Sequence, residues 1–134
     1  MAENKQVFLV DDHPLVREWL TNLINKRPDL RVCGEAGSAP EALRLIESLR
    51  PDVAIVDLTL ASGSGMELIK DLQLNHPGVA VLVLTMHDES VYALRALRAG
   101  ARGYIMKAEA TQKVIQAIRT VLEGKLYVAT RSWP

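Results

Sequence analysis

Val53-Ala54-Ile55-Val56-Asp57 is the most informative stretch of this 134-residue chain. Four apolar residues, three of them β-branched, run without polar alternation and end on a carboxylate. A half-exposed strand alternates, so an unbroken apolar run reads as a strand covered on both faces, the habit of parallel sheets. Arg50-Pro51-Asp52 just before it stops the preceding helix, because proline disfavours helical geometry in the residue ahead of it. Working outward, Val79–Leu84 has the same composition, and shorter apolar runs lie at Val7–Val10, Val32–Cys33 and Tyr104–Met106. Strand starts at 7, 31, 53, 79 and 103 are separated by 24, 22, 26 and 24 residues, room for one helix in each interval.

The intervals carry helical patterns. Leu15, Trp19, Leu23 and Ile24 form one apolar stripe, Leu43, Ile46 and Leu49 a second, and Met66, Ile69 and Leu72 a third. Val91, Leu94 and Leu97 make a fourth, and Val114, Ile118, Val121 and Leu122 a fifth. Ser38 ahead of Pro40 and Glu41 reads as an N-cap with proline in the first turn, and Gly100 sits where a C′ glycine ends a helix. Five β–α units of this length predict right-handed crossovers and a parallel sheet with helices on both faces. Residues 1–122 form that domain, and residues 123–134 read as a tail or the start of a linker.

Composition narrows the function classes. Lys plus Arg and Asp plus Glu each number 16, so no global positive field holds a polyanion. One cysteine, Cys33, excludes an intrachain disulfide framework and reads as a strand residue packed as a small hydrophobe. No apolar run approaches the roughly 18 residues of a membrane span, and Met1–Gln6 is too polar and short for a signal peptide, so a cytoplasmic protein is expected.

Ligands of an open parallel sheet bind beyond the carboxyl ends of its strands. Asp11-Asp12 follow the first strand, Asp57 ends the third, Thr85 ends the fourth and Lys107 follows the fifth. Crowded carboxylates suit a hard cation such as Mg²⁺, leaving one carboxylate as a nucleophile toward phosphorus. Each residue also has a structural reading: Asp11 or Asp12 caps the helix near Pro14, and Asp57 caps the helix after it. The conjunction at four strand ends is what favours chemistry. His13, His76 and His87 show no metal-ligand spacing and read as solvated loop residues. Gly63-Ser64-Gly65 lacks the flanking pattern of a phosphate loop and reads as a flexible turn before helix Met66–Leu74.

These residues in this order resemble the receiver domain of two-component response regulators. Val10-Asp11-Asp12-His13-Pro14, Leu84-Thr85-Met86-His87-Asp88-Glu89 and Ala99-Gly100-Ala101-Arg102-Gly103-Tyr104 resemble the NarL/FixJ subfamily, whose members continue into a LuxR-type helix-turn-helix. The resemblance implies a flavodoxin-like (βα)5 doubly wound parallel sheet, order 2-1-3-4-5. It implies that Asp57 is the phosphoacceptor, served by a sensor histidine kinase. Mg²⁺, with Mn²⁺ as a substitute, is bound by Asp12, by Asp57, by Asp11 through water and by the Thr59 carbonyl. Thr85 and Lys107 contact the phosphoryl group, and Tyr104 is the aromatic switch that turns from solvent into the space behind Thr85. Thr59, Met86 and His87 set the phosphate lifetime. Ala108, Ala61 and Met86 depart from the family's usual residues and bear on loop geometry and that lifetime.

By the same resemblance the chain is no enzyme beyond catalysing its own phosphorylation and dephosphorylation. A phosphorylation-dependent homodimer is expected, with DNA reached only through an effector domain in a longer regulator. Twelve residues after Leu122 cannot build a recognition helix. A stand-alone receiver or phosphorelay intermediate is the alternative. An aspartyl phosphohydrolase is a weaker one, since its second carboxylate belongs two residues on, where this chain has Thr59.

Overall fold

The computed structural model describes residues 4–58, 60, 64–85 and 90–128, with the side chains of residues 90–92 left aside. Strands β1 (Lys5–Val10), β2 (Leu30–Ala36), β3 (Val53–Asp57), β4 (Ala80–Thr85), β5 (Gly103–Met106) and β6 (Tyr127–Val128) form one sheet in the order β2-β1-β3-β4-β5-β6. All its pairings are parallel. Helices α1 (Pro14–Asn25), α2 (Ala39–Leu49), α3 (Gly65–Asn75), α4 (Ser90–Ala99) and α5 (Ala110–Leu122) fill the intervals, and a 3₁₀ turn spans Lys107–Glu109. The fold is thus the flavodoxin-like doubly wound sheet, with a short sixth strand contributed by the segment read as a tail.

The sheet separates two cores. Val7, Leu9, Val53, Ile55, Leu82, Leu84 and Ile105 face α1 and α5, where Leu20, Ile24, Val114, Ile118 and Val121 meet them. On the other face Phe8, Val10, Val56, Val81, Val83 and Tyr104 meet Ala42, Ile46, Leu68, Ile69 and Leu72 of α2 and α3, and Ala93 and Ala96 of α4. Residues of both faces alternate along each strand, the two-residue period of a strand covered on both sides.

Three helix stripes shift from expectation. Leu15 is 79% exposed, and Val16, Trp19, Leu20, Leu23 and Ile24 pack instead. On α2, Leu49 is half-exposed at the last turn while Ala39 and Ala42 are buried. On α4, Leu94 is 42% exposed and, among the described side chains, Ala93 and Ala96 are fully buried, while the Val91 side chain lies outside them. Only a methyl fits where a helix lies close to the sheet, and alanine counts little in a hydrophobic pattern.

Helix ends are closed as the sequence suggests. Ser38 caps α2 by accepting the Glu41 N–H at 3.4 Å. Gly100 (φ +121°) ends α4, with its own N–H on Leu97 O and the Ala101 N–H on Ala96 O. Gly124 (φ +83°) repeats this motif after α5, with its N–H on Val121 O and the Lys125 N–H on Thr120 O. That second turn sends the chain back along β5 as β6.

No helix among the described residues is long and apolar enough to cross a membrane.

Candidate functional site

Strand register brings the polar residues together. Val10 pairs with Val56, Asp57 with Leu84, and Thr85 with Met106. Asp11, Asp57, Thr85 and Lys107 therefore occupy the carboxyl ends of four consecutive strands of the sheet. Asp11, Asp57 and Thr85 are the buried polar residues of the described chain, at 2%, 0% and 0% exposure.

Each is held by its element. The Asp11 N–H continues the sheet by bonding Ala36 O at 3.1 Å, and the Arg17 guanidinium donates to the Asp11 carbonyl while its Nε holds Glu35 at 2.8 Å. Lys107 opens the 3₁₀ turn, which directs its Nζ to within 3.1 Å of both Asp11 Oδ2 and Asp57 Oδ2. Burial works against the Lys107 ammonium, but hydrogen bonds to Asp11 and Asp57 and their charges outweigh it and raise its pKa above the ordinary value. The lysine is thus a fixed positive charge.

Behind Asp57, Gly65 packs under the strand end. A Cβ there would lie 2.6 Å from the Asp57 carbonyl oxygen and 2.8 Å from Leu58 Cα. Gly65 is the first residue of α3, capped by Ser64, which accepts the Glu67 N–H at 3.2 Å. This corrects the flexible-turn reading for Gly65, whose missing side chain lets α3 start against the acidic loop. The cap of α3 is Ser64 rather than Asp57, while Asp11 does act locally, its Oδ1 accepting the His13 N–H at 2.8 Å.

His13 departs from expectation only in its contacts. Its side chain is solvent-exposed as expected, yet its Nδ1 lies 2.8 Å from Asp11 Oδ1 and 3.1 Å from Asp12 Oδ1, at the rim of the acidic cluster. The available signal was adjacency to paired carboxylates with Pro14 restricting the His13 backbone. His76 closes the end of α3, and Cys33 is partly buried against the α2 side of the core, where burial raises its thiol pKa. Thr59, Met86 and His87 lie outside the described residues.

Thr85 and Tyr104 share a face of the sheet. Thr85 alternates with Val83, Val83 pairs with Tyr104, and the Tyr104 ring is fully buried beside Ala93 and Ala96 in the same core. The aromatic expected to turn in from solvent is here already inside.

Ligand atoms from Asp11, Asp12, His13 and Asp57 all lie within 4.8 Å of one another. The three carboxylates cluster beside the Lys107 ammonium, whose Nζ lies 3.1 Å from buried Asp11 Oδ2 and from Asp57 Oδ2. An oxygen-rich pocket with excess negative charge fits a hard divalent cation.

Residues 7–119 match the response regulator receiver domain family. The chain belongs to that family. This receiver domain is 39% identical over 127 residues to the DNA-binding transcriptional activator DevR/DosR of Mycobacterium tuberculosis, a match covering 95% of the chain and 58% of the relative. Its structure is similar to a LuxR-family two-component response regulator from Aurantimonas sp. SI85-9A1, with TM-score 0.88, 38% identity and coverage of 93% and 89%. It is also similar to RcsB in a structure of two RcsB dimers bound to two parallel DNAs, with TM-score 0.87, 25% identity and coverage of 95% and 65%. The chain spans a little over half the length of the transcriptional regulators it matches, 58% of one and 54% of another.

Proposed function

We propose that this receiver domain is a phosphorylation switch in which Asp57 accepts a phosphoryl group from the phosphohistidine of a sensor histidine kinase. The observation that carries the reading is the Asp57 carboxylate itself. It is fully buried at a strand end, clustered with Asp11 and Asp12, and 3.1 Å from the Lys107 ammonium. Apolar packing has no use for three carboxylates at the end of a core sheet, since burying charge costs free energy unless it is matched.

In the transfer an Asp57 oxygen bonds to phosphorus while the phosphorus–nitrogen bond to the donor imidazole breaks, and that imidazole takes its proton from water. By the resemblance, Asp12 and Asp57 would hold Mg²⁺ or Mn²⁺, with Asp11 acting through water and Thr59 supplying a backbone carbonyl. The cation, when bound, neutralises charge on the incoming phosphoryl oxygens. Lys107 keeps its place beside Asp57 and pairs with the product, whose added charge is about −1.5 to −2. The Thr85 hydroxyl donates to a phosphoryl oxygen, and Tyr104 holds the inward position behind it. In dephosphorylation water attacks phosphorus, the bond to the Asp57 oxygen breaks, and inorganic phosphate leaves. By the family resemblance, Thr59, Met86 and His87 set the rate of that step, which is expected to be slow. The chain acts as a catalyst only on itself.

Phosphorylation then favours a homodimer and, in a longer cytoplasmic regulator, a DNA-binding effector. The activator named among its relatives and the DNA-bound RcsB dimers support this output.

Acetyl phosphate with Mg²⁺ is expected to add one phosphoryl group, read by intact mass, to the parent and not to Asp57→Ala or Asp12→Ala. Thr85→Ala is expected to be phosphorylated yet to lose the phosphate-dependent dimer signal in light scattering. An unlabelled parent, or labelling that survives Asp57→Ala, sinks the assignment.

A further inference from the structure

Arg17 reaches the acidic loop from outside the pocket. Its backbone belongs to the first turn of α1, where the Arg17 N–H bonds His13 O at 3.2 Å. Its guanidinium bridges two strand ends. Nε donates to Glu35 Oε1 of β2 at 2.8 Å, and Nη1 donates to the Asp11 carbonyl just beyond β1. Only 18% of the arginine side chain is exposed, against 44% for that of Glu35. Gly37 leaves the space for it, since a Cβ there would lie 3.3 Å from Arg17 Nη1.

The bond to the Asp11 carbonyl bears on Asp12. That carbonyl and the Asp12 N–H lie in one rigid peptide plane. The Asp11 N–H is already fixed on Ala36 O at 3.1 Å, so holding its carbonyl sets the remaining backbone dihedral of Asp11 and the place of the Asp12 Cα. The next peptide is held as well, because the His13 N–H bonds Asp11 Oδ1 at 2.8 Å. Asp12 thus stands between two fastened peptides, with its carboxylate among those of Asp11 and Asp57. A guanidinium suits this task, being always charged and offering donors at fixed angles on a planar group. Its charge alone would oppose a cation nearby, and the Glu35 carboxylate offsets it.

We propose that Arg17, held by Glu35, is a positioning residue that sets the Asp11–Asp12 peptide and thereby the Mg²⁺ affinity of the Asp12 carboxylate. This rests on the reading of Asp12 as a cation ligand of the phosphoacceptor site. Bridging and bare charge have opposite signs here. Removing a positive charge near a cation site tightens binding, whereas removing the group that aims a ligand weakens it.

The test compares the parent, Arg17→Met, Arg17→Lys and Asp12→Ala by Mg²⁺ titration, followed through backbone amide NMR signals, alongside urea unfolding. Arg17→Met keeps an apolar stem without donors and is expected to weaken Mg²⁺ binding about tenfold. Arg17→Lys keeps the charge but loses the two-nitrogen bridge, and is expected to weaken binding too. Labelling of Arg17→Met by acetyl phosphate is expected to need about tenfold more Mg²⁺ for its half-maximal rate and to approach the parent rate at saturation. The Asp11 carbonyl ¹³C signal, read without any metal, is expected to move in Arg17→Met. Unchanged Mg²⁺ affinity in folded Arg17→Met overturns the proposal and leaves Arg17 a contributor to stability only. Tighter binding also overturns it, because Arg17 then acts as a bare charge. Parent-like affinity in Arg17→Lys overturns the bridge, and decides the matter if Arg17→Met does not fold. If the parent shows no Mg²⁺ response, or Asp12→Ala binds as the parent does, the metal reading of Asp12 has failed and the proposal falls with it.

Discussion

Among the described side chains, α5 and α4 meet opposite faces of the sheet with residues of different size. Toward α1 and α5 the core is Leu, Ile and Val, and α5 buries Val114, Ile115, Ile118 and Val121. Toward α4 the described contacts are Ala93 and Ala96, with Leu94 turned half outward and the Tyr104 ring filling the space beneath. Each large aliphatic side chain contributes about 1.5–3 kcal/mol when fully buried, and an alanine methyl far less. Helix α5 is therefore fastened by large aliphatic side chains, while the described buried side chains of α4 are alanine. A structural change behind Thr85 meets least resistance on the α4 side, which is the side that carries Tyr104.

The largest expected effect tests the fastened face. Ile118→Ala is expected to cost about 2–5 kcal/mol in urea unfolding, the transfer term plus the cavity left between α5 and the sheet. Next is Gly65→Ala, where the added methyl meets the backbone of Asp57 and Leu58 and cannot be relieved by a side-chain rotation. A cost of about 1–3 kcal/mol is expected, together with slower labelling of Asp57 by acetyl phosphate. On the α4 face, Ala96→Gly is expected to cost only about 1 kcal/mol, the helix-propensity difference. A cost equal to that of Ile118→Ala would break the contrast between the faces.

The smallest effect concerns a second fastening of α5. Arg119 holds Asp29 bidentately, Nε to Oδ2 at 3.0 Å and Nη2 to Oδ1 at 2.9 Å, and this hydrogen bonding keeps the Asp29 carboxyl below its ordinary pKa. The folded state thus binds that proton less readily than the unfolded chain. The pair contributes stability above about pH 4, and the contribution is lost as pH falls through the lowered folded value. Asp29→Asn is expected to flatten the acid limb of the stability–pH curve slightly and to leave stability at neutral pH nearly unchanged, because exposed pairs contribute little.

Much of this architecture was legible from the chain because its apolar runs recur at helix-plus-strand spacing. Val53–Asp57 and Ala80–Thr85 needed only composition, since strands covered on both faces have no polar alternation to confuse the reading. The clustering of Asp11, Asp12, Asp57 and Lys107 followed from parallel topology alone. Positions where size matters more than hydropathy were less visible. The described buried side chains of α4 are Ala93 and Ala96, and Leu94 of its expected stripe turns half outward. The contacts of His13 with Asp11 and Asp12 were not visible because partners were sought along helices, whereas the loop folds the imidazole back on its own neighbours. The sixth strand had a signal too: the interval of 24 residues from 79 to 103 continues to 127, and Gly100 recurs as Gly124 at the same interval.

Those last two residues of strand bear on the protein's behaviour at high concentration. A long bare strand at the rim of a sheet is a template for another chain, and here β5 is covered by β6, which is only two residues long. At the opposite rim the pairing of β1 with β2 shifts between Val7 and Phe8, skipping Cys33, and such a bulge twists a strand away from a regular partner. The β2 rim is thus a poor seed for edge-to-edge aggregation, through its irregularity.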